Sequence, residues 1–220
     1  MSIYIVTLLV LLIFSFLELR TSPTAIQYKS MLVVVYVLFV FQAGLRWETG
    51  TDWEPYLMHF DEINKISDVY YSITGFEQGY SLFVFLVKLI WNNYTAFLLV
   101  HAFLYYALVI SAFKKLSPYL FISLLVFYAV NLGVLGSNRQ LIALGICLYA
   151  LRYVIDKNAI KFFLLVALAF SFHSTAVMFV VYYFLNRDIK QFWIFAILIV
   201  SFILGKTSIP FVVFSFVGNN

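Results

Sequence analysis

Residues 46–80 read RWETGTDWEPYLMHFDEINKISDVYYSITGFEQGY, the only long polar interval in a chain that is otherwise mostly apolar. Seven of the ten acidic residues lie in it: Glu48, Asp52, Glu54, Asp61, Glu62, Asp68 and Glu77. Function gathers on polar segments held by a rigid scaffold, so the interval is the default place for recognition or chemistry. It also divides the chain into a short apolar part before it and a longer one after it.

The apolar parts set the class. With 64% hydrophobic, 20% aromatic and 11% charged residues and a mean hydropathy of +0.99, the chain is far from a soluble domain, where charged residues make up roughly 25%. Its net charge of +4 is spread over short segments between apolar runs and forms no patch or stripe, which argues against nucleic acid as a partner. Cys147 is the one cysteine, so no disulfide framework is available. The first run, from Ile3, has no basic leader and no small-residue cleavage site, and reads as a retained span.

Runs long enough to cross a bilayer, or nearly so, cover 3–19, 30–45, 94–113, 119–135, 139–155, 160–184 and 191–205. A shorter run, 79–91, suits a re-entrant or interfacial helix. If it does not cross, Arg20, Lys29, Lys114, Lys115, Arg152, Lys157, Lys161 and Lys206 share one face, as the positive-inside tendency favours, and the acidic loop lies on the other. Trp47, Trp53, Trp91 and Trp193 adjoin span ends, where interfacial anchors belong. The expected fold is therefore all-α: one polytopic transmembrane domain over 1–220, with about seven transmembrane helices, one short re-entrant or interfacial helix, and an external loop at 46–79. The last run, Ile209–Val217, is half a span, so the expectation is a re-entrant element or a chain cut short at Asn220.

Several residues can carry chemistry. Asp52 precedes Trp-Glu-Pro-Tyr, with Pro55 suited to a first helical turn. It reads either as an N-cap, worth roughly 0.5–2 kcal/mol, or as a general base near Arg46 and Tyr56, a role that spacing alone leaves equally open to Glu48, Glu54 and Glu77. Glu77, in a turn leading into the short helix with Tyr80 after it, can face a cavity or solvent. Ser137 and Gln140 have capping-box spacing, which puts Arg139 in the first turn of a helix. A cation there opposes the helix dipole, and a bound anion resolves the conflict. The alternatives are that Arg139 reaches lipid headgroups or pairs with an acid of the loop. His173 lies mid-run in 160–184, where an ionisable group is a functional candidate or an interhelical hydrogen-bonding partner. His59, His101 and His173 show no metal-ligand spacing.

The order of these features carries a resemblance. Arg46, Asp52 and Tyr56 as R-x5-D-x3-Y, then F-E-x-G-Y at Phe76–Tyr80, then N-R-Q-x-x-A at Asn138–Ala143, then F-H-S at Phe172–Ser174 together resemble the EpsG-type branch of the Wzy-like bacterial polysaccharide polymerases. The resemblance implies a multi-pass inner-membrane glycosyltransferase whose active site faces the periplasm; a GT-C-like fold is one candidate architecture, no cofactor or metal is expected, and the loop carboxylates neither support nor exclude a hard-cation site. Such an enzyme would join undecaprenyl-pyrophosphate-linked oligosaccharide units into an O-antigen, capsule or exopolysaccharide, beside a flippase and a chain-length regulator. Asp52, Glu77 and His173 would be catalytic, with Asp52 as base, while Arg46, Tyr56, Tyr80, Arg139 and Gln140 would bind substrate. Two rival readings are a transporter or flippase of lipid-linked oligosaccharide, and a non-catalytic scaffold.

Overall fold

Backbone groups of long apolar segments are satisfied in lipid only within the segment itself, which favours helices. The computed structural model describes residues 2–21, 23–48, 52–131, 136–186 and 190–211, and every regular element among the described residues is helical. The helices are α1 (Ser2–Arg20), α2 (Ala25–Gly44), α3 (Trp53–Glu62), α4 (Gln78–Lys88), α5 (Tyr94–Leu116), α6 (Leu120–Asn131), α7 (Asn138–Ile155), α8 (Ala159–Phe172), α9 (Val180–Leu185) and α10 (Gln191–Gly205), with 3-10 turns at Ile66–Val69 and Ser174–Phe179. The chain divides into two units, Met1–Tyr183 and Phe184–Asn220. The second holds α10, an apolar helix of 15 residues.

The all-α expectation holds among the described residues, and the expected count of about seven spans is not reached by them. Three described helices, α1, α2 and α5, are long and apolar enough to cross a membrane. α7 has 18 residues but carries Arg139 in its first turn and Arg152 in its last. Leu120–Asn131, Ala159–Phe172, Ser174–Leu185 and Gln191–Gly205 are shorter apolar helices. Residues 132–135 of the run 119–135, and most of the run Ile209–Val217, lie outside the described residues.

Local sequence explains the helix starts. Thr24 and Gln27 close a reciprocal capping box at α2. Asn93, which heads an Asn-Tyr-Thr sequon, caps α5 by accepting from the Ala96 amide at 3.0 Å. For α6 the cap comes from another helix: the Glu18 carboxylate of α1 accepts from the amides of Leu120 (2.9 Å), Phe121 (2.9 Å) and Ile122 (3.4 Å). An acid at that end also complements the helix dipole.

In the first unit α1 packs on α6 and α2, α2 on α5, α5 on α7, and α7 on α8. Leu11, Val35, Phe39, Val109, Phe121, Leu124 and Cys147 are buried between them. Ile5, Leu9, Ile13 and Phe16 of α1 instead face outward, an apolar exterior that suits lipid rather than water. At Gly44 an added Cβ would stand 2.8 Å from Leu99 Cα, so a side chain there would push α2 off α5.

The polar interval is itself folded. α3, the first 3-10 turn, α4 and the start of α5 enclose a second apolar cluster with Tyr56, Phe60, Ile63, Tyr80, Val84 and Phe97 at its centre. Lys88, at the end of α4, donates to the Phe60 carbonyl (2.6 Å) and Asn64 Oδ1 (3.0 Å), tying down the exit of α3. α4 rests on α8 as well as on α5.

The run 160–184 is not one helix, so the mid-helix position expected for His173 is corrected. α8 ends at Phe172, and His173 is extended (φ −158°, ψ 122°) before the 3-10 turn begins. The capping box expected at Ser137 and Gln140 is also absent, since Ser137 occupies the N-cap position with no side-chain cap bond.

Candidate functional site

Glu77 stands just before α4, at its N-cap position, yet its side chain makes no cap bond. It reaches across to α7 and α8 instead. Arg139 Nη1 donates to Oε2 at 2.6 Å, while Oε1 accepts from His173 Nδ1 at 3.2 Å and from the Ser174 amide at 3.0 Å. Burial alone would raise this carboxyl. The hydrogen bonds from His173 and Ser174 and the charge of Arg139 outweigh it and hold the group down to about 2. Glu77 is thus a fixed anion that accepts from both neighbours.

The break after α8 follows from these contacts. Ending the helix at Phe172 frees the Ser174 amide, and Glu77 takes it. α4 can come this close because residue 79 is glycine: an added Cβ would lie 2.6 Å from the Ser171 carbonyl oxygen and 2.8 Å from its carbon. Because an ionised carboxylate only accepts, the bond to Glu77 places a hydrogen on His173 Nδ1 and leaves Nε2 to face whatever enters the site.

Two arginines meet at the start of α7. Arg46, just past the end of α2, donates from Nη2 to Asn138 Oδ1 at 2.6 Å. Burial lowers its pKa, though a guanidinium stays charged. Asn138 is itself buried, and its carbonyl accepts from His101 Nε2 at 2.8 Å. The Arg139 guanidinium lies 3.8 Å from the Phe76 ring centroid, and its backbone amide donates to the Tyr56 hydroxyl at 3.4 Å. Arg46 Nη1, Arg139 Nε and the Tyr80 hydroxyl are buried without a hydrogen-bond partner among the described residues. Tyr80 is an electrostatic neighbour of both arginines, and its hydroxyl faces the Asn138 side chain without closing a hydrogen bond. Buried polar atoms are nearly always paired. Three unpaired ones, two of them cationic, at a helix N-terminus make a setting for an anion with several acceptor oxygens.

His59 braces the wall behind these groups, a role its sequence context does not announce. It is fully buried; Nε2 pairs with the Ser81 hydroxyl at 3.1 Å and Nδ1 with those of Thr74 and Ser72. Burial pushes its pKa down to about 4, so it is neutral at pH 7. Glu62 closes the same turn by accepting from the Ile73 and Thr74 amides and the Thr74 hydroxyl.

The structure therefore brings Arg46, Tyr56, Glu77, Tyr80, Arg139 and His173 together and adds Asn138, His101, Ser174 and His59. Gln140 makes no hydrogen bond to the ionic cluster among the described residues and lines a recess of about 190 Å³ that His173 also lines. Asp52 is exposed at the entry of α3 and makes no side-chain cap bond; its carbonyl accepts from the Tyr56 amide at 3.4 Å. Gly50 and Thr51 beside it lie outside the described residues. Asp52 and His173, as isolated letters in a sequence, carry equal weight; the carboxylate partner of His173 becomes visible only through the fold.

With this geometry in place, comparison with known proteins adds one finding. The model of the EpsG family matches residues 29–219, a stretch that contains every residue of the cluster. Neither the curated proteins nor the solved structures yield a match.

Proposed function

The chain belongs to the EpsG family, and from that premise we propose that it is a membrane glycosyltransferase that polymerises undecaprenyl-pyrophosphate-linked oligosaccharide units into a surface polysaccharide, at the outer face of the inner membrane. The observation that supports this best is the pair of arginines at Asn138, each with a buried N–H left unpaired among the described residues. Guanidinium groups match phosphate oxygens in geometry as well as charge. In this reading Arg46, Arg139 and the Tyr80 hydroxyl hold the pyrophosphate, and Tyr56 and Phe76 fix the Arg139 head group.

The reaction is a displacement at the anomeric carbon. The hydroxyl of one unit forms the new C–O bond as the bond to the lipid pyrophosphate breaks, its electron pair leaves with the phosphate, and the hydroxyl proton passes to a base. Glu77 is a poor base, since it already accepts three hydrogen bonds and sits near 2. It acts instead as a positioning residue, setting the ring of His173 as a carboxylate sets the imidazole in a hydrolase triad. His173 Nε2 takes the proton, and Asp52, one turn before Tyr56, binds the incoming sugar. Asp52 as base, the assignment favoured on sequence grounds, is the competing form of the same proposal.

One observation favours a second reading. A helix broken at an ionisable residue, as at His173, is also a feature of transporters. Purified protein supplied with a lipid-linked repeat unit and no energy source separates the two: elongation requires an enzyme, and its absence alongside measurable lipid translocation would leave the transporter.

A further inference from the structure

The recess beside His173 is graded along its length. Gln140, Leu144 and Cys147 form one stripe on α7 at helical spacing, and Thr175 and Phe179 of the 3-10 turn face them. Asn131, Gln140, His173 and Thr175 are the polar groups of the lining; Leu141 and Ala176 lie beside them, and Ala143, Leu144, Cys147 and Phe179 complete it with apolar surface. With a rise of about 1.5 Å per residue, Gln140 to Cys147 spans about 10 Å. Over that distance the lining changes from hydrogen-bonding groups to hydrocarbon. His173 belongs both to this lining and, through its bond to Glu77, to the ionic cluster, so the polar end of the recess adjoins the cluster at that residue.

A ligand that fits such a lining has a polar head toward the ionic cluster and a hydrocarbon joined directly to it. The volume of about 190 Å³ exceeds the roughly 150 Å³ of an apolar cavity that accepts a benzene-sized molecule. It is too small for a whole lipid and adequate for a short segment of one. Resting on the function proposed above, we propose that the recess seats the hydrocarbon units next to the phosphate of the lipid-linked donor, with Leu144, Cys147 and Phe179 as their contacts. The phosphate end then lies toward Arg139, and the rest of the lipid lies beyond the recess. The recess would thereby select a prenyl carrier over a soluble sugar nucleotide, because only the former fills both ends.

The test is photo-crosslinking with a prenyl pyrophosphate that carries a diazirine on its first isoprene unit, applied to the full chain in detergent or lipid. The expected label falls within 140–147 or 175–179. Inorganic pyrophosphate, which shares only the head group, competes weakly, and Leu144→Trp lowers the yield by at least about tenfold, the discrimination a filled apolar pocket gives. Label confined to the outward faces of α1 or α2, or no specific label in the wild-type chain, overturns the proposal whatever the variant does. Crosslinking needs no turnover, so the two proposals fail separately. Label in the recess without elongation removes the polymerase reading and keeps the seat, whereas elongation with label elsewhere removes the seat alone.

Discussion

Arg139 Nη1 lies 2.6 Å from Glu77 Oε2, a contact between residues 62 positions apart that joins the first turn of α7 to the entry of α4. The same carboxylate holds His173 and the Ser174 amide. One anion thus ties three segments at the place where Arg46 Nη1 and the Tyr80 hydroxyl are left unpaired among the described residues.

Glu77→Gln keeps the size of the side chain and removes its charge. Arg139 and His173 each lose a charged acceptor, and hydrogen bonds to charged groups contribute about 1.5–3 kcal/mol. A double-mutant cycle with Arg139→Gln, read from thermal or denaturant unfolding in detergent, is expected to show a coupling of about 0.5–3 kcal/mol. Coupling indistinguishable from zero would mean that the contact does not organise the site.

Gly79→Ala tests the close approach of α4 to α8. The added methyl meets the Ser171 backbone, which cannot step aside as a side chain end can. Overpacking of this kind costs about 1–3 kcal/mol, and because it parts Glu77 from Ser174 it should lower polymer yield along with stability. Gly205→Ala, with open space around it, serves as the control. Equal melting temperatures for the two variants would contradict the packing described.

The pH response has a definite sign. Glu77 has its pKa lowered from 4.5 to about 2, so its contribution to stability is full above 4.5 and is lost as pH falls through about 2. His59 is lowered from 6.5 to about 4, so burying it neutral favours the fold above 6.5 and disfavours it as pH falls through about 4. The segment from α3 to α4 should therefore loosen between pH 6.5 and 4, before the Glu77 link gives way. Hydrogen exchange across that range detects it, and His59→Gln is expected to flatten the dependence; an unchanged profile in that variant would assign the effect elsewhere.

The two candidate bases give different kinetics. Removing a general base costs about two to four orders of magnitude in rate. His173→Gln is expected to lose that much in kcat, while Asp52→Asn changes chiefly the KM for the accepting unit and leaves kcat within about tenfold. The reverse pattern would return the role of base to Asp52.

The residue types and their order made much of this site legible. Arg46, Glu77, Arg139 and His173 stand out because a charge in or beside an apolar run is costly and needs a reason. The helix starts at Thr24 and Asn93 are likewise local in origin. The break at His173 was not legible: Phe-His-Ser-Thr contains neither glycine nor proline, and the helix ends where an acceptor 97 residues away takes the Ser174 amide. Asn138, His101 and His59 were missed for the same reason, since their partners come from other helices. Ser137, with the right spacing for a cap, shows the converse, a local signal that the tertiary structure does not use.

The central claim is that the two arginines hold the pyrophosphate of a lipid-linked sugar donor. The most direct measurement is chain elongation by purified protein from a lipid-linked repeat unit without any energy source, with wild type beside Arg139→Lys and Arg46→Lys. Lysine keeps the charge and loses the forked geometry. The account predicts elongation by wild type and a loss of at least about tenfold in kcat/KM in each variant, the equivalent of one phosphate hydrogen bond or more. Full elongation by both variants, or none by a folded wild-type protein, would contradict it.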